Sequence, residues 1–540
     1  MKPANFAFAT ILICCLFSDF LIASSDNQTG NRPNIVFVFS DDHACHAIGA
    51  YNGWLKSVNP TPNIDRLAKQ GMLFQNSFCT NSICGPSRAV IQTGKFSHLN
   101  GFMTNGNKFD ASQQTFPKLM QKAGYATAII GKWHLKSTPQ GFDYWDVLQG
   151  QGEYYNPVLM KKEGKRTVEG YCTDIVTDLA IDWLKENKDS DRPFMLMCQH
   201  KAPHRCWMPP LRHLDLYNDI DIPVSPTLFD DQKDNAKCVL VEEMEIDRHM
   251  NMANDLFAPQ STVTRPPTDE SGTKNLLKMT PEQLAAWNKG YEAENQALVD
   301  ANLSGKELIR WKYNRYVKNY LRCVRGVDDS VGQLMSYLEE SGLRKNTILI
   351  YCSDQGFYLG DHGWYDKRFM YEESLKMPLI VSWPGVTKEG SVNKNLVQNI
   401  DYAETFLEIA GAEIPTDMQG KSMVPLLKGE PADDWRDAIY YHYYQFPSVH
   451  MVARHYGVRN DRYKLIHFYQ FDEWELYDLE KDPDELVNQY ANPEYAKITA
   501  GLKVRLTELR KQYKDDSDVS AKSKEWQDQF YDTLLPQPQG

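Results

Sequence analysis

Ile35-Val36-Phe37-Val38-Phe39, followed at once by Ser40-Asp41-Asp42-His43, is the stretch that decides the fold. Five apolar residues with no polar alternation leave no face for water, so the run reads as a strand buried on both sides. Its abrupt end in two carboxylates and an imidazole places reactive groups at the strand's carboxyl tip. The pattern returns three times. Ala126-Thr127-Ala128-Ile129-Ile130 stops at Gly131-Lys132-Trp133-His134, and Phe194-Met195-Leu196-Met197-Cys198 stops at Gln199-His200-Lys201-Ala202-Pro203-His204. Thr347-Ile348-Leu349-Ile350-Tyr351 runs into Ser353-Asp354-Gln355-Gly356. Buried strands separated by helical stretches predict an α/β fold with a large, mostly parallel sheet flanked by helices. Ligands of such sheets bind beyond the carboxyl ends of the strands, so four clusters far apart in sequence are expected to meet on one edge.

Helical segments are predicted at Asn63 to Gly71, which has an N-cap and a terminal glycine, at Phe116 to Gly124, at Tyr171 to Glu186 and over Glu307 to Ser341. Between Arg205 and Asn302 the chain is polar and weakly patterned, and reads as an insertion of loops and short helices over the sheet edge. Past Pro425 to Trp435 the pattern changes to short strands at Ala438 to Gln445, Tyr456 to Arg459, Tyr463 to Phe468 and Glu473 to Tyr477, then a charged helix from Pro493 to Lys514. This predicts a smaller C-terminal antiparallel sheet with one packed helix, and a loosely held polar tail from Lys522 to Gly540. The expected organisation is a leader at 1–25, a catalytic domain at 26–430 and a C-terminal subdomain with its tail at 431–540.

A chain of 540 residues exceeds one small core. Its formal net charge of -12 argues against a nucleic-acid partner, which needs a basic face, and favours a local pocket taking a chain end over a long basic groove. Lys2, the apolar run Phe6 to Phe17 and the small residues of Leu21-Ile22-Ala23-Ser24-Ser25 form a secretory signal peptide, with export to the periplasm or the extracellular space as its consequence. Asp19 leaves the run too short for a stable membrane span, and Ile13 and Cys14 are poor predecessors for lipidation of Cys15. Of eleven cysteines, nine remain beyond the leader, an odd number that leaves at least one thiol unpaired. Cys198 and Cys352, inside apolar runs, read as buried thiols. Asn27-Gln28-Thr29 and Asn302-Leu303-Ser304 fit the glycosylation pattern, which also arises by chance.

Asp41, Asp42, Asp354 and Gln355 offer three carboxylates and an amide, a hard-oxygen set suited to Ca²⁺ or Mg²⁺, although a paired aspartate can equally cap the next helix. Arg88, Lys132, His134, His204 and Lys367 supply cations and groups that titrate near neutrality, as needed to stabilise a tetrahedral anion and protonate a leaving alkoxide. In Cys84-Gly85-Pro86-Ser87-Arg88, Pro86 and Ser87 can open a helix whose amides favour an anion beside Cys84. On residues alone, Cys84 is either a thiolate nucleophile or an ordinary buried cysteine.

Cys84-Gly85-Pro86-Ser87-Arg88 with Thr93-Gly94 resembles the signature of the formylglycine-dependent sulfatases, and Asp41-Asp42, the Lys132 and His204 turns, Asp354-Gln355-Gly356 and Lys367 follow in that family's order from about Asn34 to Gln489. The resemblance implies an alkaline-phosphatase-like fold and one calcium held by Asp41, Asp42, Cys84, Asp354 and Gln355. It further implies a formylglycine made from Cys84 by a dedicated maturation enzyme. Arg88 and Lys132 would hold its hydrate, His134 would drive sulfate expulsion, and His204 with Lys367 would bind sulfate and protonate the leaving group. Gln355 departs from the family's usual Asn or His, but its amide oxygen can still ligate calcium. Asp361, His362 and His455 are candidate contacts to a sulfated oligosaccharide. The pattern is nearest the bacterial N-acetylglucosamine-6-sulfatases. An iduronate 2-sulfatase, a phosphatase or phosphodiesterase of the same superfold, and a non-catalytic binding protein are the alternatives.

Overall fold

The computed structural model describes residue 1 and residues 32–58, 60–259 and 271–534. The expected leader and the Asn27 triplet lie outside the described residues. The run that begins the reading is the strand Asn34–Ser40, with no residue more than 9% exposed. It pairs in parallel with Thr347–Ser353 on one side and Phe194–Gln199 on the other, and the latter pairs in parallel with Ala126–Gly131. Tyr144–Leu148 continues the parallel set. Outer strands complete a ten-stranded sheet, among them the antiparallel Leu379–Ser382 and the meander Val158–Lys161 and Gly164–Thr167.

Successive side chains of a strand face opposite ways, which divides the core in two. Ile35, Phe37 and Phe39 pack with the helices Cys84–Thr93, Phe116–Lys122 and Tyr402–Ile409. Val36 and Val38 pack with Pro62–Lys69, Cys172–Asn187 and Gly305–Glu340 on the other face. The helix expected at Asn63 starts at Pro62, and its N-cap Thr61 makes no side-chain capping bond. Asp328 of the long helix caps it instead, accepting the Asn63 and Ile64 amides at 2.9 and 2.8 Å. A four-stranded antiparallel sheet of Ala438–Tyr443, His455–Asn460, Tyr463–Phe468 and Glu473–Asp478 follows, covered by the helix Ala496–Gln512 through Leu502, Leu506 and Leu509.

Two expectations are corrected. The insertion contains a 21-residue helix, Pro281–Ala301, opened by a capping box between Thr280 and Gln283. It buries only Trp287, Tyr291 and Leu298, so its apolar stripe is too thin to show in a polar sequence. The tail is not loose over its whole length: Lys524–Leu534 is a helix whose Phe530 and Tyr531 pack on Phe471. All nine cysteines from Cys45 to Cys352 are free and all but Cys45 are buried, which agrees with the reading of Cys198 and Cys352. Among the described residues no helix is long and apolar enough to cross a membrane.

Gly131 ends its strand at φ 99°, where a Cβ would lie 1.9 Å from the Gln199 carbonyl oxygen. The same carbonyl accepts the Lys132 amide at 2.7 Å. Gly131→Ala is therefore expected to lower stability by about 2 kcal/mol or more in urea unfolding while displacing Lys132. An unchanged midpoint would contradict this placement of the turn.

Candidate active site

Asp41, Asp42, Asp354 and Gln355 come together because their strands are neighbours in register, Ser40 opposite Ser353. Asp42 turns the chain at φ 67° and donates its amide to Asp354 Oδ1 at 3.0 Å. All four side chains are fully buried, and the three aspartates each offer an oxygen within 4.8 Å of the others. Each carboxylate meets a cation from a different segment. Lys132 pairs with Asp41, Lys367 donates to both oxygens of Asp42 at 2.5 and 2.6 Å, and Arg88 reaches Asp354 Oδ2 at 3.1 Å. Buried charges left unpaired cost several kcal/mol each, so these pairs hold the edge together. Burial, reinforced by Asp354 and Asp366 and opposed by Lys367, pushes Asp42 up to about 6.

The set fits a hard divalent cation. Asp41 Oδ1 and Gln355 Oε1 are buried without a hydrogen-bond partner, and the donors are carboxylate and amide oxygens. Gln355 donates its amide nitrogen to Asp42 Oδ1, which leaves its oxygen as a free ligand atom.

Cys84 is the first residue of the helix Cys84–Thr93, after an extended Ile83. Pro86 has no amide to waste at the helix start, and Gly85 lets Asn105 and Phe102 approach closely, a Cβ there falling 2.6 Å from Asn105 Oδ1 and 2.7 Å from Phe102. Ser87 ties the helix to the metal edge by donating to the Asp354 carbonyl at 2.5 Å. One atom each of Asp41, Cys84 and His204 lies within 4.8 Å of the others, so a strand end, the helix start and the His204 turn meet. Burial, then the nearby Asp354 and Asp42, hold the Cys84 thiol above its usual range despite Lys367.

Arg88 is fixed by donating to the Lys132 carbonyl and to Gln199 Oε1, both at 2.8 Å, with its guanidinium 4.7 Å from the centre of the Phe39 ring. His204 Nε2 stands 3.9 Å from Asp42 Oδ2, and its Nδ1 donates to the Arg205 carbonyl at 2.5 Å. His134 Nδ1 is buried without a partner. Both imidazoles are held well below their usual pKa, first by burial and then by surrounding cations: Lys132 and Arg88 around His134, Lys132 and Lys367 around His204. They are neutral here, able to take a proton once an anion offsets that field.

The three expected sugar contacts sit differently. Asp361 closes its own turn by accepting the Leu359 amide at 2.9 Å, and also accepts Ser225 Oγ at 3.2 Å. His362, 1% exposed, lies between Asp230 and Glu373, which outweigh burial and raise it to about 10. Both tie the 225–232 segment to the site's wall. His455 is 0% exposed and packs against Phe369, Tyr441, Tyr443 and Phe468, so it is corrected to a core ring rather than a pocket contact. Sequence reasoning missed Asn105, whose amide lies 3.5 Å from Cys84 Sγ, the Arg88 acceptor Gln199, and the buried Asp366–Arg368–His450 cluster beside Lys367. Arg368 follows Lys367 directly, but nothing in the pattern marked it.

Residues 33–412 match the family described as Sulfatase, and residues 360–512 match the one described as N-sulphoglucosamine sulphohydrolase, C-terminal. The chain is 47% identical over 506 residues to an N-acetylglucosamine-6-O-sulfatase of Bacteroides thetaiotaomicron, covering 92% of this chain and 89% of that one. A solved structure in complex with its substrate D-glucosamine-2-N,6-O-disulfate superposes with a TM-score of 0.85 at 46% identity, over 90% of this chain and 99% of that one. A phosphonate monoester hydrolase of Agrobacterium radiobacter, 20% identical with a TM-score of 0.63 over 89% and 96% of the two chains, shares the fold.

Calcium or magnesium at saturating concentration is expected to raise the thermal midpoint, with about 2.7 kcal/mol of added stability at a hundred times the Kd. Asp354→Asn should lose most of that gain. A wild-type protein indifferent to both ions and to chelator would contradict a cation site here.

Proposed function

Starting from the fact that this chain belongs to the sulfatase family, we propose that it removes the 6-O-sulfate of N-acetylglucosamine units in a sulfated glycosaminoglycan or mucin sugar, using Cys84 matured to formylglycine. It is an enzyme of sulfate-ester hydrolysis on sugars. The observation that carries the 6-sulfate reading is the 47% identity, across nine-tenths of the chain, to a relative named for that reaction. The site supports the chemistry independently. Cys84, its thiol raised by burial, stands at a helix start beside three carboxylates and their cations.

Matured to formylglycine, position 84 would supply as its hydrate one hydroxyl to attack sulfur and a second whose deprotonation re-forms the aldehyde as the sulfate leaves. Arg88, braced by Gln199 and the Lys132 carbonyl, and Lys132 orient the oxygens at position 84. His134, neutral in its cationic surroundings, accepts the proton of the expulsion step. His204 and Lys367 face the sulfate, whose negative charge offsets the field that keeps His204 neutral and lets it carry a proton to the departing sugar oxygen. Calcium held by Asp41, Asp42, Asp354, Gln355 and the matured side chain of Cys84 would draw charge from the sulfate oxygens. Residues 26–430 form the catalytic domain and 431–540 the C-terminal subdomain. The leader would export the protein to the periplasm or the extracellular space, and a dedicated maturation enzyme would convert Cys84.

Purified enzyme is expected to release sulfate from N-acetylglucosamine 6-sulfate, and Cys84→Ala to lower kcat by at least about a thousandfold, as loss of a nucleophile does, with an unchanged unfolding midpoint. Release from an iduronate 2-sulfate unit but not from N-acetylglucosamine 6-sulfate would overturn the substrate. Faster hydrolysis of an aryl phosphate than of its sulfate would overturn the reaction.

A further inference from the structure

A groove of about 1,110 Å³ opens beside His134, walled by the segment 108–112, the turn 133–140 and the edge strands Tyr144–Leu148, Val158–Lys161 and Gly164–Thr167. A pocket of roughly 300–1,000 Å³ encloses a small ligand, so this one has room beyond a single sugar. Its charge runs against that of the whole chain. Four lysines line it, Lys108, Lys136, Lys161 and Lys165, against one carboxylate, Asp110, which is occupied by the amide and hydroxyl of Ser112 at 2.9 and 2.6 Å. Lys136 reaches only the Gly106 carbonyl, at 3.3 Å, and Lys161 only the exposed Glu163, at 3.7 Å. A cleft of one sign concentrates counter-ions even on a protein of opposite net charge.

Ser137, Thr138 and Gln140 add polar side chains to the lining. Trp145, half-buried in Tyr144–Leu148, the innermost of the three wall strands, offers an aromatic ring to the same space. His134, one of the active-site imidazoles, also lines the groove, so the groove lies directly against the site.

We propose that this groove is a subsite for the sugars that follow the terminal sulfated residue, and that it selects an anionic oligosaccharide chain. The four lysines meet its sulfate or carboxylate groups and Trp145 packs on a sugar ring. The inference rests on the 6-sulfatase reading for the terminal unit, and extends it from one sugar to the chain behind it. The -12 charge then does not forbid a basic groove; it confines the groove to one side of the site.

The test compares kcat/KM for sulfate release from N-acetylglucosamine 6-sulfate with that from two tetrasaccharides ending in the same sugar, one with anionic and one with neutral following units. Wild-type enzyme is expected to favour the anionic tetrasaccharide over the monosaccharide about tenfold, mainly through KM, and to lose much of that advantage in high salt. In the doubly substituted Lys161→Ala, Lys165→Ala protein, and in Trp145→Ala, the ratio of tetrasaccharide to monosaccharide efficiency should fall toward one. Equal efficiency on monosaccharide and anionic tetrasaccharide, no preference for anionic over neutral chains, or variants that slow every substrate by one factor would each overturn the proposal. If wild-type enzyme releases sulfate from none of these sugars, the 6-sulfatase reading fails. The groove is then judged by calorimetric titration with the anionic tetrasaccharide. Binding by wild type that is lost in the lysine variant supports the subsite, and no binding, or equal binding by both, overturns it.

Discussion

Three buried carboxylates, each matched to a cation delivered by a different stretch of chain, are the constraint on which the rest of the structure depends. Asp41 and Asp42 end one strand and Asp354 its neighbour, while Lys132, Lys367 and Arg88 arrive from another strand end, a downstream loop and a helix. No one element can bury its charge without the others. The sheet edge therefore assembles as a unit, and the pairing fixes the register of Asn34–Ser40 against Thr347–Ser353. Arg88 extends the same logic to the helix that carries Cys84, since its other nitrogen is held by Gln199 and the Lys132 carbonyl. Burial holds the His134 and His204 imidazoles well below their usual pKa, and the cations that pair with the carboxylates reinforce it.

The parallel core was legible because a strand buried on both faces has to be apolar throughout. Asn34–Ser40, Ala126–Gly131, Phe194–Gln199 and Thr347–Ser353 extend the sequence-based runs by only a residue or two at either end. Elements exposed on one side were harder to see. Val158–Lys161 and Gly164–Thr167 are short and largely solvent-facing, and Pro281–Ala301 keeps only three side chains in the core. Its capping box at Thr280 and Gln283 was present in the sequence, but no apolar stripe accompanied it.

The site divides the same way. Residues at strand tips announced themselves by following a buried run, whereas Asn105, Arg368 and His450 come from loops with no such frame. His455 misled for a related reason: a histidine in a strand is as easily a packed ring as a ligand, and only the surrounding Phe369, Tyr441, Tyr443 and Phe468 decide which. An acidic chain can nonetheless attract an anionic substrate, because charge acts over about a Debye length and the lysines are gathered on one side of the pocket.

Position 84 is proposed to work only after chemical conversion; burial, with Asp354 and Asp42 beside it, raises the Cys84 thiol above its usual range. Mass spectrometry of the peptide containing Cys84, taken from protein purified in active form from a host with the maturation enzyme, tests this most directly. An aldehyde that reacts with hydrazine, present in proportion to the specific activity of each preparation, is the predicted result. Full activity in protein whose Cys84 is wholly an unmodified thiol would contradict it.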